Sequence, residues 1–186
     1  MSFRRAAMRR DARNREKIQK CKAPGAELLK ARNDGWEKGK LLATCICFET
    51  MYKDFGWRRK RLADLSNSLT EQSIHFTPDV LRFACAIWTE KLHGAIEKFG
   101  SLKLPEGDIL SAAKYTECLE TYVSTASYIM TAIHSEYCFS TNSSGTGRMD
   151  KLINRFALEY IKLASSIDYD IEGRADSISR LIGWKV

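Results

Sequence analysis

Four residues of this chain invite a metal reading: Cys45 and Cys47 on one predicted helix, and His134 and Cys138, four apart, on another. Zinc takes converging tetrahedral ligands, whereas Cys-x-Cys on a helix turning 100° per residue directs its thiols about 200° apart. No zinc site is expected from these pairs, and the thiols read as small buried apolar groups. Glu117 and Glu120 share a helix face, with Glu136 much later, but no Glu-x-x-His of the di-iron kind accompanies them. They read as a solvated face. Ser143-Ser144-Gly145-Thr146-Gly147-Arg148 contains glycines but lacks the Gly-Lys-Ser/Thr ending and the preceding strand of a phosphate-cradling loop. His75 and His93 complete the histidines, and no nucleophile, base and metal set converges. The expectation is a protein that is not an enzyme, acts stoichiometrically, and uses no cofactor and no metal.

Charge is more informative. The first 22 residues hold Arg4, Arg5, Arg9, Arg10, Arg13, Arg15, Lys17, Lys20 and Lys22 against Asp11 and Glu16, an excess equal to the +7 of the whole chain. Residues 23–186 are balanced at 21 basic and 21 acidic. An arginine-rich terminal arm is the electrostatic footprint of a segment that meets phosphates or an acidic partner. Its bland alternative is a solvating tail that keeps the protein soluble. A second cluster, Trp57-Arg58-Arg59-Lys60-Arg61, combines an aromatic able to stack on a base with guanidinium groups suited to bidentate phosphate contacts. Here the alternative is that Phe55 and Trp57 anchor a helix corner in the core while the cations face water. On one side of the protein, arm and corner would make one continuous positive surface.

The elements that must position these groups are helical. Three prolines, few glycines and long patterns of period 3.6 predict an all-α fold, a single-domain bundle of five or six helices over residues 23–186 behind a basic arm over 1–22. The arm is expected to be disordered, or helical on binding. Pro24-Gly25 is expected to break the chain, with Asp34 capping the next helix and Gly56 stopping it. Leu62, Leu65 and Leu69 mark a second helix, and Thr77-Pro78 opens a third that ends at Gly100. After Pro105, a segment of about 30 residues carries apolar positions from Ile109 to Tyr137, and at about 45 Å it should be the central helix. Residues 140–147 read as a flexible linker. Leu152 to Ile167 and Ala175 to Trp184 give the last two helices. At 186 residues and 44% hydrophobic content the chain can bury a full core unaided. No stretch approaches the ~20 apolar residues of a membrane span. The arm lacks a secretory h-region, and scarce serine with Asp11 and Glu16 argues against a transit peptide. The six cysteines are therefore expected as reduced, intracellular thiols.

Gly35-Trp-Glu-Lys-Gly39-Lys, an apolar helix, and Tyr52-Lys-Asp-Phe-Gly-Trp-Arg-Arg-Lys-Arg-Leu62 together resemble a pattern in small helical proteins of phages and prophages of Gram-positive bacteria. In those, an apolar helix ends in an Asp-Phe-Gly-aromatic corner before a basic Arg-Leu helix. The likeness covers residues 35–65 and brings no established active site. It implies a mobile-element protein in a bacterial host's cytoplasm that regulates nucleic-acid metabolism or blocks a host defence complex, as anti-CRISPR inhibitors do. The leading expectation is thus a binding protein for nucleic acid, or for a host nucleic-acid-processing complex, acting through the arm and the Trp57–Arg61 corner. The alternative is an assembly protein that oligomerises through its bundle, and the charges alone choose neither DNA nor RNA.

Overall fold

In the computed structural model, the described residues are 3–75, 78–99, 108–166 and 169–183, with side chains described for 25–71, 85–99, 108–166, 169–181 and 183. They form six helices: α1 (Phe3–Lys53), α2 (Arg59–His75), α3 (Pro78–Lys98), α4 (Ile109–Tyr137), α5 (Arg148–Ala164) and α6 (Ile171–Ile182). The fold is all-α. No helix among the described residues is long and apolar enough to cross a membrane.

The bundle is built on a parallel crossing of α1 and α4. Two glycines one turn apart on α1 permit it: a Cβ on Gly35 would lie 2.2 Å from the carbonyl oxygen of Lys114, and one on Gly39 2.3 Å from that of Cys118. Only bare backbone fits there. Beyond the glycines, α1 buries Leu42, Ala43, Cys45, Ile46, Cys47 and Met51 against Cys118, Tyr122, Ala126, Ile129, Met130 and Ile133 of α4. Tyr115 and Tyr122 of α4 donate their hydroxyls to Leu163 O and Phe156 O of α5, both at 3.0 Å, fixing α5 antiparallel to α4. Thr89 of α3 donates to Ser127 of α4 at 2.9 Å, and Tyr128 donates to Leu69 O of α2 at 2.6 Å. The long helix is central, as its pattern predicts.

Several local expectations are corrected. Pro24-Gly25 does not break the chain, because α1 runs without interruption from Phe3 to Lys53; a proline removes one amide donor from a helix but does not by itself end it. Asp34 therefore sits inside α1, 3.6 Å from Lys114 of α4, and caps nothing. Gly56 does mark the stop, three residues past Lys53, where its φ of 68° suits glycine. The segment 140–147 is a closed turn. Asn142 accepts from the Thr146 amide at 2.8 Å, and Asp150 accepts from the amides of Asn142 and Gly147 at 2.9 and 3.0 Å. The last helix begins at Ile171, because Asp170 accepts from the Gly173 amide and caps it. Thr77, Gly100, Pro105 and Trp184 lie outside the described residues.

Because Gly35 faces Lys114 and α4 starts at Ile109, α1 outruns its partner at the N-terminal side. From Gly25 to Asp34 no residue of α1 is buried, and burial begins at Gly35. The basic arm precedes this stretch on the same helix.

Gly39→Ala is expected to destabilise the protein by about 1–3 kcal/mol in denaturant unfolding, because a methyl at the crossing forces the backbones apart. Gly94→Ala on α3, where a Cβ meets open space, should instead stabilise by up to about 1 kcal/mol through helix propensity. The same sign at both positions would remove the crossing from its structural role.

Candidate functional site

The cysteines and the histidine considered as metal ligands have structural surroundings. Cys45, Cys47 and Cys118 are buried. Burial pushes the thiols of Cys45 and Cys118 up to about 11 and that of Cys47 higher still, so all three stay protonated at neutral pH. His134 and Cys138 do not share a helix face: α4 ends at Tyr137, Cys138 turns left-handed with φ 54°, and His134 Nδ1 lies 2.6 Å from Phe139 O. Among the described residues no group of three or more His, Cys, Asp or Glu is placed to hold a metal ion.

The sequence pattern missed a buried ionic cluster that joins α1, α5 and α6. Glu49 and Glu159 are each 1% exposed. Glu49 Oε1 accepts from Lys53 Nζ at 2.6 Å, and Oε2 lies 2.6 Å from an Arg174 terminal nitrogen and 3.5 Å from one of Arg155. Glu159 Oε1 accepts from Tyr169 Oη and from Arg174 Nε at 3.3 Å, while Oε2 meets Lys162 at 3.2 Å. Burial alone would raise the Glu49 carboxyl; the Lys53 hydrogen bond and the Arg174 guanidinium outweigh it and hold the group below its ordinary 4.5. All four carboxylate oxygens carry cationic or hydroxyl donors, which leaves no free acid or base. The cluster clamps the short α6 onto the bundle. Its signal in the sequence was slight: Glu49 sits within the run Cys45-Ile-Cys-Phe-Glu-Thr-Met51, a charge in an apolar helix face.

The Trp57–Arg61 corner is rearranged relative to its expected role. Trp57 is 4% exposed, so it presents no free ring face for a base to stack on. Its amide donates to Met51 O at 2.9 Å, which folds the corner back over the end of α1. The indole packs against Tyr137 at 4.7 Å and Phe139 at 6.1 Å between centroids, and Phe55 meets Phe139 at 5.0 Å. Trp57 is the core anchor of the corner.

Guanidinium groups cover this aromatic cluster from outside. Arg61 lies 4.2 Å over Trp57 and 5.7 Å over Tyr137, Arg58 lies 5.1 Å over Tyr52, and Arg148, at the start of α5, lies 5.6 Å over Phe139. Arg59 and Lys60 are exposed beside them. Among the described residues, none of these five cations is in an ion pair within 4 Å. A guanidinium held by a ring face keeps the N–H donors on its edge available, in a planar fork that matches phosphate. The structure thus brings Arg58, Arg59, Lys60 and Arg61 together with Arg148, which the sequence offered only as the end of a glycine-containing loop.

The side chains of Arg4, Arg5, Arg9, Arg10, Arg13 and Arg15 lie outside the described residues; their backbone belongs to α1. The corner follows Lys53, and the 28 residue steps from Gly25 to Lys53 span about 42 Å of helix. Arm and corner lie at opposite ends of α1. Compared with protein-family models, with curated proteins and with solved structures, the chain matches none.

The clamp has a pH signature. A carboxyl held low in the folded state stabilises above its ordinary value and loses that contribution as pH falls below about 4.5 through the folded value. Glu49→Gln is expected to destabilise by about 3 kcal/mol at pH 7, leaving the surrounding cations uncompensated. Its unfolding midpoint should then depend less on pH between 5 and 3 than that of the parent. Parallel pH profiles for both proteins would contradict the clamp.

Proposed function

We propose that this protein binds nucleic acid without catalysis, through the arginine-rich first turns of α1 and the exposed cations at the Arg58–Arg61 corner. One observation carries the reading: the chain's entire net charge sits on residues 1–22, on a helix whose neighbouring stretch, Gly25–Asp34, has no buried residue. A solvating tail needs no rigid support, whereas an extended basic helix offers a regular array of cations to a phosphate backbone or groove. The body is charge-balanced, so it neither repels a polyanion nor imitates one. The carboxylates of Glu49 and Glu159 are partnered and the thiols of Cys45, Cys47 and Cys118 are buried, which supports a stoichiometric mode of action. The resemblance of residues 35–65 to phage and prophage proteins accords with such a binder, acting on nucleic acid or on host defence complexes built around it.

Fluorescence anisotropy with labelled duplex DNA, single-stranded DNA and structured RNA tests the reading, using the full chain and a chain starting at Ala23. With six or more phosphate contacts, affinity of the full chain should fall about 10³-fold or more between 50 and 200 mM salt. The shortened chain should lose most of its affinity at low salt. Absence of salt-sensitive binding by the full chain to all three probes would overturn the proposal and direct attention to an acidic protein partner.

A further inference from the structure

The charge distribution along α1 has the form of a dumbbell. At one end stands the arm, with nine basic and two acidic residues in the first 22. At the other stands the corner, where Arg58, Arg59, Lys60, Arg61 and Arg148 from two segments gather around one aromatic cluster. Between them, residues 25–53 of α1 carry five basic and four acidic side chains. Several pair with other helices, Lys38 with Glu172 at 2.9 Å and Glu49 with Arg174 at 2.6 Å. The middle therefore has little net charge with which to follow a phosphate backbone from one end to the other.

Acids near the corner are Asp54, Asp64, Glu136 and Asp150. Asp150 is occupied by the amides of Asn142 and Gly147, and Glu136 accepts from Ser68. None of the four is in an ion pair with the corner cations. Propping by Tyr52, Trp57 and Phe139 fixes the guanidinium groups before any ligand arrives, which lowers the ordering cost of a phosphate contact.

Resting on the nucleic-acid reading above, we infer that the two ends of α1 hold two separate segments of nucleic acid, the arm one and the Arg58–Arg61 and Arg148 surface the other. The protein is then a bridge. From Arg13, in the middle of the arm, to Lys53 at the corner is about 60 Å of helix at 1.5 Å per residue. A 12-bp duplex is about 40 Å long at 3.4 Å per pair, so one such duplex cannot serve both sites at their centres.

The experiment mixes 12-bp duplexes labelled separately with donor and acceptor dyes, adds the full chain at low salt, and reads energy transfer and anisotropy together. Energy transfer should rise with protein, pass through a maximum near two duplexes per chain and fall at excess protein, as each duplex acquires its own chain. The corner variant is Arg58→Gln, Arg59→Gln, Lys60→Gln and Arg148→Gln, with Arg61 kept over Trp57 to preserve the fold. It should bind a single duplex through the arm within about threefold of the parent, as for rim phosphate contacts, and give no transfer. Full-chain binding without transfer overturns the bridge and leaves the nucleic-acid reading standing. Transfer that persists in the variant also overturns it, since the duplexes would then be joined by paired arms. Failure of the full chain to bind any duplex removes both readings at once.

Discussion

Everything in this molecule depends on how closely α1 can approach α4. The two helices run parallel, and at Gly35 and Gly39 the backbone of one lies against the carbonyls of the other, closer than any side chain permits. Close approach brings the apolar faces below it into one core, from Leu42 to Met51 on one side and from Cys118 to Ile133 on the other. It also sets the register. With Gly35 fixed at Lys114, the end of α1 must fall beside the end of α4, so that Trp57 meets Tyr137 and Phe139, while the stretch Gly25–Asp34 runs past the start of α4 with no buried residue. The glycine contact thus decides where the corner is built and where burial on α1 begins.

Polar chemistry in the interior secures what the crossing leaves loose. Helix α6 is only 12 residues long, and a short helix gains little from its own hydrogen bonds. It is held by Ile171, Ala175 and Ile178 in the core and by Arg174, which spans Glu49 of α1 and Glu159 of α5. Buried charges are stabilising only when fully partnered. Glu49 and Glu159 meet that condition, and Tyr169 closes the cluster from the α5–α6 connection. The partnering of both carboxylates is what makes the cluster a clamp.

Much of the architecture was legible in the sequence because it rests on periodicity. The stripe from Ile109 to Tyr137 reads as one long helix, the stop at Gly56 falls where it is expected, and the cap at Asp170 moves the start of the last helix without changing the count. Tertiary packing was not legible. Pro24-Gly25 reads as a break from local propensity, yet α1 continues through it. Gly35 and Gly39 read as part of a family pattern, whereas their purpose is the contact with Lys114 and Cys118. At the corner, the residue types were identified and their roles were not. A tryptophan beside four cations suits base stacking in one dimension; in three, Tyr137 and Phe139 bury it and Arg61 covers it. Arg148 lies 87 positions after Arg61, so only the fold could bring it to the same cluster. Glu49 and Glu159 escaped because a single acid in an apolar stripe carries no motif.

The arm, which holds the chain's net charge, and the corner, whose five cations are in no ion pair within 4 Å among the described residues, are the two ends of α1 proposed to meet phosphate. Hydrogen–deuterium exchange of the full chain, with and without a saturating duplex at low salt, tests this division most directly. The account predicts slowed exchange confined to residues 3–24 and to the amides around 58–61 and 148, with α3 and the middle of α4 unchanged. Protection centred on α3 or on the middle of α4, with the arm exchanging as in the free protein, would contradict it.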